Sequence, residues 1–292
     1  MKLGTVITAM VTPFDNSGRV AYDKAAELAD HLAKNGSDGL VVAGTTGESP
    51  TLSSDEKIRL ATVVRQAVNG RARVFLNTGS NDTAASVDLT EKATAIGLDG
   101  IMAVVPYYNK PPQSGLLLHF KSVARATDLP VMVYNVPGRT GCNLLPETLE
   151  KLAEQPNVVA CKEASGNLEQ VSEIARRVGE RVQILSGDDS LTLPMLAVGA
   201  TGVVSVASHL VGERIQRMIS AFFEGDVMQA KKIHLELLPM FKGLFFTTNP
   251  IPVKSALNML GHGLGGFRPP LSPLDPPQEA FLAGLLESYG LK

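Results

Sequence analysis

With 292 residues, 44% of them hydrophobic, and a mean hydropathy of +0.09, the chain can form one large domain or two ordinary ones around an ample core. Its 27 basic and 29 acidic residues leave a net charge of −2 and are spread along the chain, so no basic stripe points to nucleic acid and no acidic run to disorder. No apolar stretch approaches the ~20 residues that cross a bilayer, and the sparse cysteines, Cys142 and Cys161, have no metal-ligand spacing and suit a reducing compartment, so the cytoplasm is the expected location.

In chain order, short apolar strands alternate with longer amphipathic helices. Residues 5–11 read as a first strand rather than a signal peptide, because the run is broken by Thr5 and Thr8 and ends without a small-residue cleavage pattern. Residues 20–35 follow as a helix with Ala25, Leu28, Ala29 and Leu32 on one face. Strands are expected at 39–43, 74–78, 100–105, 131–135, 158–162, 182–186 and 202–206. Helices are expected between them, the one at 55–68 opened by the capping-box-like Ser53-Ser54-Asp55-Glu56. Nearly all these strands lack polar alternation, the mark of a parallel sheet covered on both faces. Eight such units make the count of a (β/α)8 TIM barrel. A doubly wound open sheet is the rival, but no Gly-x-Gly-x-x-Gly follows any strand. The barrel is expected over residues 1–225, with a C-terminal helical segment, 226–292, packed on it. Within that segment Lys254, near the start of a late helix, reads as solvated.

Active sites of such barrels lie at the C-terminal ends of the strands, which reduces the candidates to a short set. They are Gly44-Thr45-Thr46-Gly47-Glu48, Pro106-Tyr107-Tyr108-Asn109, Tyr134-Asn135-Val136-Pro137-Gly138-Arg139-Thr140, Lys162-Glu163, Ser186-Gly187-Asp188-Asp189 and Ser205. Lys162 ends the apolar run Val158-Val159-Ala160-Cys161. A lysine there either snorkels to water or is kept in a pocket, where desolvation frees its amine to attack a carbonyl. Each of the others also has a structural reading. The Gly-Thr-Thr-Gly stretch suits a tight turn as well as a carboxylate cradle. The tyrosines suit packing, Arg139 a solvated loop, and Asp188 and Asp189 the cap of the next helix. The five histidines are scattered and give no metal site.

Taken together and in this order, the five stretches resemble the dihydrodipicolinate synthase / N-acetylneuraminate lyase family, over essentially the whole chain. Arg139 and the Gly-Thr-Thr-Gly-Glu form are similar to the synthase branch; the sugar-acid lyases usually have Gly-Ser-Thr-Gly-Glu and lack this arginine. The resemblance implies a class I aldolase without cofactor or metal, condensing pyruvate with aspartate semialdehyde in lysine and diaminopimelate biosynthesis. By it Lys162 is the Schiff-base lysine and Tyr134 the general acid/base. Thr45 and Tyr108 form the proton relay, Tyr108 arriving from a neighbouring subunit. Thr46 holds the pyruvate carboxylate and Arg139 that of aspartate semialdehyde, Gly187 and Val204 line the lysine pocket, and Tyr107 packs across a dimer contact. A homo-oligomer is implied, commonly a tetramer built as a dimer of dimers.

The resemblance departs at one place. Lysine-inhibited members have histidines at the positions matching Ser54 and Lys57 and a glutamate at that matching Ala85, so weak or absent inhibition by lysine is expected, although Ser49, Asn81 and Tyr107 remain. A pyruvate aldolase acting on sugar or keto acids, and a silent binding barrel, are the competing functions. Arg139 weighs against the first, and the set Lys162, Tyr134, Thr45 and Tyr108 against the second.

Overall fold

The structure is a computed structural model and describes residues 3–292. Eight strands, β1 (Val6–Ala9), β2 (Gly39–Val42), β3 (Arg73–Asn77), β4 (Gly100–Val104), β5 (Val131–Asn135), β6 (Val158–Glu163), β7 (Gln183–Ser186) and β8 (Gly202–Ser205), pair in parallel. They follow chain order, and β8 closes on β1. Helices alternate with the strands, so the fold is a (β/α)8 barrel, as the unbroken apolar runs require. Ser53 caps the helix Ser54–Val68 through a complete capping box with Glu56.

Side chains alternate across each strand, and the barrel uses this to make two cores. One parity, including Ile7, Val41, Phe75, Met102, Met132, Ala160, Leu185 and Val204, fills the barrel interior. The other parity, including Leu40, Val74, Ile101, Val133, Cys161 and Ile184, packs outward against the helices. Tyr134 and Lys162 lie two residues beyond Met132 and Ala160, so they continue the inner parity at the C-terminal mouth. A register shift on β5 at Val131/Met132 leaves Val159 as an extra residue on β6, and beyond it Tyr134 pairs with Lys162 and Lys162 with Leu185. The bulge therefore sets which residue of β6 faces the interior beside the phenol.

Two local differences from the sequence reading have simple causes. Pro137 starts a four-residue helix, Pro137–Thr140, where a loop was expected, because proline is preorganised for a first helical turn. The helix after β8 begins at Ser208 rather than near residue 215, with a kink at Val211. The helices Val227–Gly243, Ile251–Met259 and Pro276–Ser288 complete the chain, and Ile233, Leu237, Val253, Leu257 and Leu282 share the outer barrel core. Lys254 is not solvated: it is fully buried, its amine 2.9 Å from Glu48 Oε1. The helical pattern alone could not show that this face of Ile251–Met259 turns onto the loop after β2. Among the described residues no helix is long and apolar enough to cross a membrane.

Candidate active site

A cavity of about 210 Å³ opens at the C-terminal mouth of the barrel, lined by Thr45, Ser49, Asn77, Tyr107, Tyr134 and Arg139 among others. Lys162 is not itself in this wall. Its Nζ lies 4.1 Å from the centroid of the Tyr134 ring, which borders the cavity. Lys162 is 6% exposed, and burial pulls its pKa from 10.5 down to about 7; Asp189 opposes the shift and Arg139 adds to it. An amine that titrates near neutrality is a usable nucleophile. The cation–π contact favours the ammonium but leaves the nitrogen without a hydrogen-bonded carboxylate.

Tyr134 is buried, and that burial pushes its hydroxyl up to about 12, while Arg139 and a hydrogen bond with the Thr45 side chain pull the other way. The phenol is thus a proton donor throughout the neutral range, with a hydroxyl partner at hand. Thr46 is buried, and its Oγ1 accepts from Asn249 Nδ2 at 2.9 Å, which leaves its own O–H free to donate. Gly187 follows β7 beside the lysine: a Cβ there would stand 2.6 Å from that of Ala164 and 3.2 Å from Lys162 Cε. Glycine is required here chiefly by the close approach of Ala164, and it also spares the Lys162 stem a tight contact. Val204 lies on β8 in the interior core beneath the mouth.

Arg139, on the short helix after β5, is exposed and lines the cavity, where a guanidinium can bind a carboxylate. Tyr107 is half-buried in the same wall. Tyr108 is not brought into the site within one chain. It is 88% exposed and holds φ 72°, a left-handed conformation unusual for tyrosine. Ser205 is spent structurally, its hydroxyl donating to Asp189, whose other oxygen accepts from Val206 N and Ala207 N at 3.0 Å.

Three contributors were not singled out in sequence. Asp189, read as a helix cap, is a buried carboxylate acting on Lys162 through space. Asn249 was visible only as punctuation before Pro250, and Glu48 only as the end of the Gly-Thr-Thr-Gly-Glu motif. Nor are all the histidines scattered: His31 and His262 stack edge to face at 4.8 Å, and both border a second cavity with His209. His209 receives Val11 N at Nε2 and donates from Nδ1 to the Val206 carbonyl, so it is neutral and fully engaged. Among the described residues no group of three or more His, Cys, Asp or Glu side chains is arranged to hold a metal ion.

The sequence pattern of the Dihydrodipicolinate synthetase family matches residues 2–288. The chain belongs to this family. It is similar to the 4-hydroxy-tetrahydrodipicolinate synthase of Heliobacterium modesticaldum, 56% identical over 291 residues, which are 100% of this chain and 97% of that one. The synthase of the same name from Thermosynechococcus vestitus is 57% identical over 289 residues, 99% of this chain and 98% of the other. Among solved structures, the DHDPS of Cyanidioschyzon merolae with lysine bound superposes with a TM-score of 0.98 at 50% identity, covering 99% of each chain. For this dihydrodipicolinate synthetase family member, the Tyr134 ring is shared by the cavity wall and the contact with the Lys162 amine.

Proposed function

We propose that the chain condenses pyruvate with L-aspartate 4-semialdehyde to give 4-hydroxy-tetrahydrodipicolinate, with Lys162 as the Schiff-base nucleophile. The observation that carries the reading is the Lys162 amine, buried against the Tyr134 ring and titrating near pH 7. At that pH about half of such amines are unprotonated. The free amine attacks the keto carbon of pyruvate, and loss of water leaves a protonated imine. That cation is the electron sink that lets the methyl group lose a proton. The resulting enamine attacks the aldehyde carbon, and Tyr134 supplies the proton that the new alkoxide takes up. The amino group of the second substrate then displaces Lys162 from the former keto carbon, which closes the ring and frees the enzyme.

Thr46, with its O–H directed by Asn249, holds the pyruvate carboxylate, and Arg139 holds that of aspartate semialdehyde. Gly187 and Val204 shape the space around the Lys162 stem. Thr45 passes protons to and from Tyr134. Tyr108 completes that relay in a neighbouring subunit, and Tyr107 packs at the same contact. An aromatic side chain 88% exposed, on a left-handed backbone, is well suited to cross an interface. The enzyme is accordingly at least a dimer and is built as a tetramer. A cytoplasmic location fits two cysteines that are both free.

Borohydride reduction with pyruvate tests the nucleophile: a mass increase on the peptide carrying Lys162, absent in Lys162→Ala, is expected. An unlabelled Lys162 rejects the mechanism. Turnover of N-acetylmannosamine in preference to aspartate semialdehyde would reject the substrate.

A further inference from the structure

The loop that carries Thr45 and Thr46 is held in an unfavourable backbone conformation. Ala43 and Glu48 bracket it, and both are non-glycine residues with positive φ, 51° and 55°. Such conformations persist only where the surroundings over-determine them. Inside the barrel the loop is held by Thr12 Oγ1, which donates to the Gly47 carbonyl at 2.7 Å. Besides its own turn hydrogen bonds and the contact of Thr45 with Tyr134, it is restrained by residues more than two hundred positions away. Asn249 Nδ2 donates to Thr46 Oγ1. The Lys254 amine donates to Glu48 Oε1 at 2.9 Å, and Arg268 N donates to Glu48 Oε2 at 3.1 Å.

The charged group extends outward from there. The Arg268 guanidinium meets both oxygens of Glu56, at 2.6 and 3.0 Å, and also the carbonyls of Thr51 and Gly18. Lys254 lies 4.2 Å from the Phe14 ring centroid and Arg268 4.6 Å from it, on a ring buried between the barrel and the C-terminal segment. A buried ion pair is a poor way to gain stability, since apolar side chains of the same volume commonly do as well. What it does provide is a single register, because displacement by one hydrogen-bond length strands a charge.

We propose that Glu48, Lys254 and Arg268 form a positioning latch: the C-terminal segment fixes loop 44–48 so that Thr46 presents its hydroxyl to the pyruvate carboxylate and Thr45 stays against Tyr134. None of the three touches the reacting atoms. The inference rests on the pyruvate reading of the Lys162 pocket. The latch acts on the pyruvate side of the site, whereas Arg139 stands on β5's side and is supported independently.

The readout is the pyruvate concentration giving half-maximal borohydride trapping at Lys162, measured with the KM for aspartate semialdehyde and with thermal unfolding. Glu48→Gln/Lys254→Met keeps the shape and leaves no uncompensated charge. It is expected to unfold near the wild-type temperature, to need about tenfold more pyruvate, and to keep its aspartate semialdehyde KM within about twofold. Glu56→Gln loosens Arg268 from a partly exposed position and preserves the helix cap, since glutamine serves in a capping box. It raises the required pyruvate about threefold, and it decides the matter alone if the double variant does not fold. Trapping at the wild-type concentration in a folded variant overturns the latch, as does a parallel rise in KM for both substrates. A wild-type enzyme that traps no pyruvate overturns instead the reading beneath it.

Discussion

Lys254 and Lys162 are both shielded from water, yet one meets a carboxylate and the other the face of a phenol. Lys254 is fully buried with Glu48 at 2.9 Å, and Phe14 and Phe267 flank its amine. Lys162 is almost as buried, but its amine faces Tyr134 and is reached by Asp189 only through space. Burial lowers the proton affinity of both; in Lys254 the hydrogen-bonded Glu48 directly resists that shift. The pairing makes one lysine a structural fixture, and its absence leaves the other amine titrating near neutrality.

The comparison breaks first, and by the widest margin, at activity. Lys162→Met should reduce turnover of pyruvate and aspartate semialdehyde by about four orders of magnitude or more, since methionine cannot form the imine. The same variant should melt higher than the wild type at neutral pH. The folded pKa of about 7 lies below the unfolded 10.5, so below 10.5 the unfolded chain takes up a proton that the folded one resists. Wild-type stability should therefore rise between pH 7 and 10.5 by a slope that is missing from Lys162→Met. A melting temperature that falls would show Lys162 to be a structural lysine like Lys254.

Next in size is the opposite outcome at Lys254. Lys254→Met strands the Glu48 carboxylate in the interior and should cost about 3–5 kcal/mol in urea unfolding, with Schiff-base formation still detectable in the folded fraction. A stability loss below about 1 kcal/mol would mean that Glu48 finds water, and that the two lysines differ less than their surroundings suggest.

The third effect is the pH profile. With subsaturating pyruvate, trapping at Lys162 should fall about fivefold from pH 7 to pH 6 as the amine of pKa about 7 protonates, and it should level off above pH 8. Tyr134, at about 12, does not titrate in this window. A profile still rising between pH 9 and 10 would place the Lys162 amine near the ordinary lysine value.

The smallest effect concerns a third lysine. Lys57 is half-buried in the wall of the cavity, and burial lowers its pKa. A second cation entering beside it meets like-charge repulsion, so free lysine at about 1 mM should leave the initial rate unchanged. The Cyanidioschyzon merolae relative was solved with lysine bound. Inhibition of this chain at sub-millimolar lysine would show that Ser49, Asn81 and Tyr107 suffice without the histidines.

Much of this site is legible in one dimension because barrel chemistry lies at strand ends. An apolar strand closing on Lys162 places the amine at a strand end, and the Thr45-Thr46, Tyr134 and Arg139 motifs lie at other strand ends on the same rim. The bulge that brings Tyr134 beside Lys162 is another matter: a shift of one residue in pairing leaves no mark in the composition of β5 or β6. Tyr108 was likewise conspicuous as a residue, but a single chain leaves it in solvent.

The sequence by itself determined the eight-fold alternation, the placement of Lys162 at a strand end, and the small and polar residues around the mouth. These follow from local periodicity and from the short span between a strand and its loop. Only the tertiary structure decided that Lys254 is buried, that Asn249 directs the Thr46 hydroxyl, and that Asp189 acts on Lys162. The reason is physical. Amphipathic spacing states which face of a helix is buried but not what it is buried against, and a buried charge is acceptable only once folding supplies its partner.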